Sequence, residues 1–178
     1  MKLRYPLLAL LLLIALPATA QERGNDEPRQ SPNAVVGQTI GTTEVTVTYG
    51  RPSVRDRDIF GALVPYGEVW RTGANEPTVI TFSDDVTVEG EAVSAGTYAF
   101  FTIPGDDAWT IILSTDTAQW GAMAYDEGKD VVRVTVTPTE GDDMEMMTIT
   151  FEDVTPTEGT LVLHWDETRV PVRIGVGS

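Results

Sequence analysis

Apolar residues recur at every second position over most of this chain, and that period limits the fold more than any other feature of the sequence. Val45, Val47 and Tyr49 alternate with Thr46 and Thr48, and Val132, Val134 and Val136 with Arg133, Thr135 and Thr137. Val170, Val172, Ile174 and Val176 share one side of a run whose other side carries Arg169 and Arg173. Alternation of this kind puts one face of a strand in a core and the other in water. No stretch sustains a helical stripe. Turn chemistry separates the runs: Glu89-Gly90, Pro104-Gly105-Asp106-Asp107, and Asp166-Glu167 before the last strand. The pattern predicts a single all-β domain of about eight to nine strands, an antiparallel β-sandwich or a squat barrel. Only Asp58 to Leu63 and Thr117 to Met123 suit a short helical turn.

Residues 1–20 have the build of a secretory signal: Lys2 and Arg4, an apolar run from Leu7 to Leu16, and the small-residue site Ala18-Thr19-Ala20. The expected mature chain begins at Gln21 and works in the periplasm or outside the cell. The apolar run is too short to span a bilayer, so no membrane anchor is expected after cleavage. Residues 21–33 lack apolar side chains and read as a flexible leader, and the domain is expected over 34–178. The chain has no cysteine, so no disulfide supports the core. Without its signal the chain carries ten basic and 27 acidic residues, a net charge of −17, and such a field repels nucleic acid and anionic lipid.

Residues 51–77, RPSVRDRDIFGALVPYGEVWRTGANEP, break the alternation and hold three prolines and three glycines. Long loops in compact domains are either functional or conceal an element. Four of the ten mature basic residues, Arg51, Arg55, Arg57 and Arg71, fall between 51 and 71, with Tyr66, Trp70 and Asn75 among or just beyond them. Guanidinium forks beside flat rings suit a carboxylate, a phosphate or a sugar. The competing reading is a structural clamp in which Asp56, Asp58 and Glu68 neutralise the arginines. Gln119-Trp120-Gly121-Ala122 with Tyr125 is a candidate second wall of the same site, whereas Trp109 and Trp165 sit in apolar runs and read as core.

Other chemistry is sparse. His164 is the sole histidine, and without cysteine it cannot build the usual zinc sites. No serine stands in a nucleophile-elbow sequence, and Asp126 to Asp130 lacks the spacing of a calcium loop, reading instead as an acidic hairpin tip. No metal or cofactor is expected.

Several distinctive blocks follow one another: Arg51-Pro52-Ser53-Val54-Arg55 through Ile59-Phe60-Gly61, Leu63-Val64-Pro65-Tyr66-Gly67, and Val69-Trp70-Arg71-Thr72-Gly73-Ala74-Asn75. Then come Ala95-Gly96-Thr97-Tyr98, Phe101-Thr102-Ile103-Pro104-Gly105 and Gln119-Trp120-Gly121. From about Val45 to Val176 the chain resembles the secreted bacterial family called domain of unknown function 2911. The resemblance implies an exported single-domain β protein and brings no reaction, cofactor or catalytic residue with it. Asp56 and Asp58 stand where that family often has a glycine and basic residues, which makes this loop less basic.

The leading expectation is a non-enzymatic module of the periplasm or cell envelope that binds an anionic or glycan-like ligand. One alternative is a hydrolase or lyase acting on envelope carbohydrate or peptide, with Glu68, Glu76 or Asp126 as acid or base. Another is a structural envelope protein that binds a protein partner.

Overall fold

The computed structural model describes residues 23–24 and 27–177, so the predicted signal and its cleavage site lie outside the described residues. Ten strands follow in order: β1 (Asn33–Ile40), β2 (Thr43–Gly50), β3 (Thr78–Phe82), β4 (Val86–Val88), β5 (Glu91–Val93), β6 (Gly96–Ile103), β7 (Trp109–Ser114), β8 (Asp130–Val136), β9 (Thr139–Glu152) and β10 (Glu158–Val176). They form a six-stranded sheet, β1-β2-β3-β6-β7-β8, and a four-stranded sheet, β5-β4-β10-β9. Every pairing is antiparallel, and the two sheets do not close on each other. The fold is a sandwich, not a barrel.

The period-two pattern decides which side chains meet in the middle. Val45, Val47 and Tyr49 of β2, Ile80 and Phe82 of β3, and Trp109, Ile111 and Leu113 of β7 face Ile149 of β9 and Leu161, Leu163, Trp165, Val170, Val172 and Ile174 of β10 across one core. Each such side chain contributes on the order of 1.5–3 kcal/mol by leaving water. The alternate residues Ala99, Phe101 and Ile112 form a smaller cluster on the other face of the large sheet, covered by Val69, Ala122 and Tyr125.

At Glu89-Gly90 both residues have positive φ, 50° and 90°, as a two-residue turn between β4 and β5 requires. Asp166-Glu167 departs from its expected role as a turn. A straight β10 would run roughly 60 Å, longer than a domain of this size is wide. The register shifts on either side of Asp166, whose φ is 55°, and these bulges bend one continuous strand. Its first part pairs with β9 and its last residues with β4. Among the described residues the one helical element is a 3-10 turn at Glu127–Lys129. Neither 58–63 nor 117–123 forms a helix, and Asp126 to Asp130 enters β8 from that 3-10 turn, within the long connection of the β7–β8 hairpin. Among the described residues no helix is long and apolar enough to cross a membrane.

Candidate functional site

The stretch between β2 and β3 lacks alternation because it lies at one end of the sandwich and joins both sheets. Arg51 starts it by donating from Nε to the Met147 carbonyl and from a terminal nitrogen to Thr148 Oγ1, both at 2.8 Å on β9. The Met147 amide donates to Pro52 and the Val54 amide to Glu145, extending the contact with β9. The chain then turns through Ile59 to Val64, whose two terminal residues are buried in the main core. Gly61 is required there: its φ is 85°, and a Cβ would stand 2.9 Å from the Tyr66 ring. Phe60 packs edge-on against Trp109 with ring centres 4.8 Å apart, and Trp70 stacks on Trp165 at 5.9 Å. This aromatic cluster ties the loop to the main core.

Beyond the cluster, Trp70 exchanges both backbone hydrogen bonds with Thr102 of β6, at 2.7 and 2.9 Å. Thr72 is buried and holds φ 53°, an uncommon value for a β-branched residue that costs on the order of 1–3 kcal/mol. Its hydroxyl bonds Thr102 Oγ1 at 3.1 Å, and its carbonyl accepts from Thr78 Oγ1 at 2.6 Å. Arg71 therefore sits between two fixed residues.

Arg71 lines a cavity of about 510 Å³ at this end, together with Arg55, Arg57, Glu68, Trp70, Asn75 and Trp165. The volume is in the range of small-molecule sites. Among the described residues Arg71 makes no side-chain hydrogen bond and no ion pair; its Nε is buried, and its terminal nitrogens are accessible. Burial pushes its guanidinium below the ordinary value of 12.5, and no carboxylate offsets the effect. Arg55 donates to the side chain and carbonyl of Gln30, and Arg57 to the carbonyls of Ser53 and Val54. Carbonyl acceptors hold these groups without neutralising them.

The salt-bridged clamp envisaged for these arginines does not form. Among the described residues the ion pairs engage Arg23, Arg29, Arg133, Arg169 and Arg173, and none engages Arg51, Arg55, Arg57 or Arg71. Asp56 and Asp58, both exposed, take part in no ion pair among the described residues.

Part of the segment read as a leader forms one wall. Gln30 and Ser31 line the cavity, and Asn75 Nδ2 donates to the Ser31 carbonyl at 3.1 Å. Arg29 grips the buried Glu76 carboxylate with two hydrogen bonds, 2.7 and 3.0 Å, while Arg23 lies 3.8 Å from it and donates to the carbonyls of Thr48 and Pro77. The bond from Arg29 holds Glu76 below the ordinary carboxylate value despite the opposing effect of burial.

Four of the expected site residues lie outside the cavity lining. Arg51 is committed to β9. Tyr66 lines a second cleft, of about 310 Å³, with Phe60, Trp109, Asp106, Glu140 and Glu167. Trp120 is 56% exposed, and Tyr125 packs on Phe101 and donates its hydroxyl to Asp130, so the expected second wall is not part of this cavity. Burial first, and then that bond, push the Tyr125 hydroxyl far above its ordinary value. His164 Nε2 donates to the Asp142 carbonyl at 2.8 Å, a structural tie between β10 and β9. Sequence reasoning missed Trp165 and Thr72 as parts of the site. Trp165 reads as core because it is core, with one edge on the cavity; the signal for Thr72 was its place beside glycine in a segment without alternation.

An open antiparallel sandwich with an arginine-bearing cavity formed at one end by the β2–β3 segment, the stretch before β1 and Trp165 of β10 is thus the class of protein defined here. The chain belongs to the family described as protein of unknown function (DUF2911), whose model matches residues 31–174. No curated protein and no solved structure matches it.

Proposed function

We propose that this is an exported, non-enzymatic binding module of the periplasm or cell envelope, whose cavity takes a small ligand through an acid group placed on Arg71. One observation carries the reading: Arg71 is partly desolvated, held in place on both sides, and without a partner among the described residues in a chain with more than twice as many acidic as basic side chains. A guanidinium that gives up water without gaining an acceptor is a net cost to the folded protein, and a bound carboxylate or sugar acid removes that cost. Trp70 and Val64 supply apolar surface for the rest of the ligand. Export rests on the signal-like residues 1–20.

The test is a melting-temperature screen at fixed ionic strength against acetate, benzoate, glucuronate, sulfate and inorganic phosphate. A ligand that binds only the folded state raises the midpoint. The reading requires at least one acid to do so, and requires Arg71→Met to abolish the rise. A rise that persists in that variant refutes it.

A hydrolase or lyase is the second reading, and the second cleft favours it, since Asp106, Glu140 and Glu167 line it beside Tyr66. The carboxylates first considered for that role are less suitable. Glu76 is held ionised by Arg29, Asp126 accepts the Gly128 amide, and only Glu68 reaches the arginine cavity. Turnover of an envelope glycan or peptide that Glu140→Gln or Glu167→Gln abolishes establishes this reading in place of the first.

A further inference from the structure

We propose that the ligand held at Arg71 also carries an ammonium group, and that Glu68 selects for it. The inference rests on the anion-binding reading above and narrows it to small zwitterions. Glu68 lines the same cavity three residues before Arg71, is exposed, and forms no ion pair or side-chain hydrogen bond among the described residues. The two residues stand three apart in sequence, with Cα atoms at most about 10 Å apart, yet their charges do not pair with each other. The fixed backbone of Trp70 and Thr72 holds Arg71 where it is, so the two groups stand as separate poles on one cavity.

For a plain anion Glu68 weakens the hold of the cavity, because it repels what Arg71 attracts. Adding an ammonium to the ligand turns that repulsion into attraction. The field of the whole protein acts in the same direction. A chain with an excess of 15 acidic residues repels approaching dianions over long range, whereas a molecule of zero net charge enters freely and is then held by each end. Arg55 and Arg57 keep their charge but have donors committed to the Gln30, Ser53 and Val54 carbonyls, which leaves Arg71 as the lining arginine without a partner among the described residues. The chemistry that fits is an amine and an acid on one small molecule, as in an amino acid, a short peptide or an amino-sugar acid, with an apolar part against Trp70.

Calorimetric titration with alanyl-alanine, N-acetyl-alanyl-alanine, alanyl-alanine amide and muramic acid separates the two levels of the argument. We expect alanyl-alanine or muramic acid, or both, to bind about two- to fivefold more tightly than the acetylated acid, a size suited to one solvent-accessible charge contact. Whichever binds tells a peptide-borne pair of charges from a sugar-borne one. Glu68→Gln, a change at an exposed position, is expected to remove that preference from both sides, weakening the free dipeptide and strengthening the acetylated acid. Equal binding of the free and acetylated dipeptides overturns the role of Glu68 while preserving the anion site. Binding of the amide as tight as that of the free dipeptide, or binding of none of the acids, overturns the anion site and the present inference with it.

Discussion

The nine arginines between residues 23 and 173 divide into two groups. Five of them, spread over the N-terminal segment, β8 and β10, each meet a carboxylate, as arginines in so acidic a chain are expected to do. The four in the 51–71 segment meet none among the described residues, although acidic residues lie among them in sequence. The difference shows that sequence proximity of opposite charges does not make an ion pair when the backbone is fixed by other forces. Here an aromatic cluster and the bridge to Thr102 fix the backbone, and the side chains take whatever acceptors remain: carbonyls for Arg51, Arg55 and Arg57, and nothing for Arg71.

The contrast yields a graded series of substitutions. Glu76→Gln is expected to lower the melting temperature most, because it leaves two guanidinium groups over a neutral amide. Glu76 titrates below its ordinary value of 4.5 in the folded protein, so its contribution is present above that value and fades as pH falls through the lowered one. The stability gap between wild type and variant is therefore expected to be widest near neutral pH and to close in acid. Arg51→Met comes next, at about 1–3 kcal/mol by chemical denaturation, since it removes two hydrogen bonds to β9. Arg71→Met reverses the expectation for an arginine: with no partner to lose, its stability should stay within about 0.5 kcal/mol of wild type or rise. Should it fall as far as Arg51→Met, the two groups are not different in kind. Trp120→Ala closes the series, with a change under about 0.5 kcal/mol and no change in ligand binding, because the ring is exposed and away from the cavity.

Much of the sandwich was legible because alternation and turn residues are local signals. Strands β2 and β8, the last part of β10 and the Glu89-Gly90 turn follow from them directly. Asp166-Glu167 misled for a physical reason: turn-forming residues also make bulges, and only the partner strands decide between the two. The polar segment 21–33 carries no apolar signal, and what ties Arg29 to the domain is a carboxylate 47 residues away. The arginine excess singled out a region of which Arg55, Arg57, Trp70, Arg71 and Asn75 line one cavity. It could not show which of them is spent on carbonyls, nor that Gln119 to Tyr125 covers a different face.

Titrating wild type and Arg71→Met with the best acid from the melting screen, at one ionic strength and neutral pH, tests the account most directly. The account predicts saturable binding to wild type that weakens at least about tenfold in an equally stable variant, the size of one charge-assisted hydrogen bond. Equal affinity for both proteins would contradict it and leave Arg71 as an unpaired residue with no part in recognition.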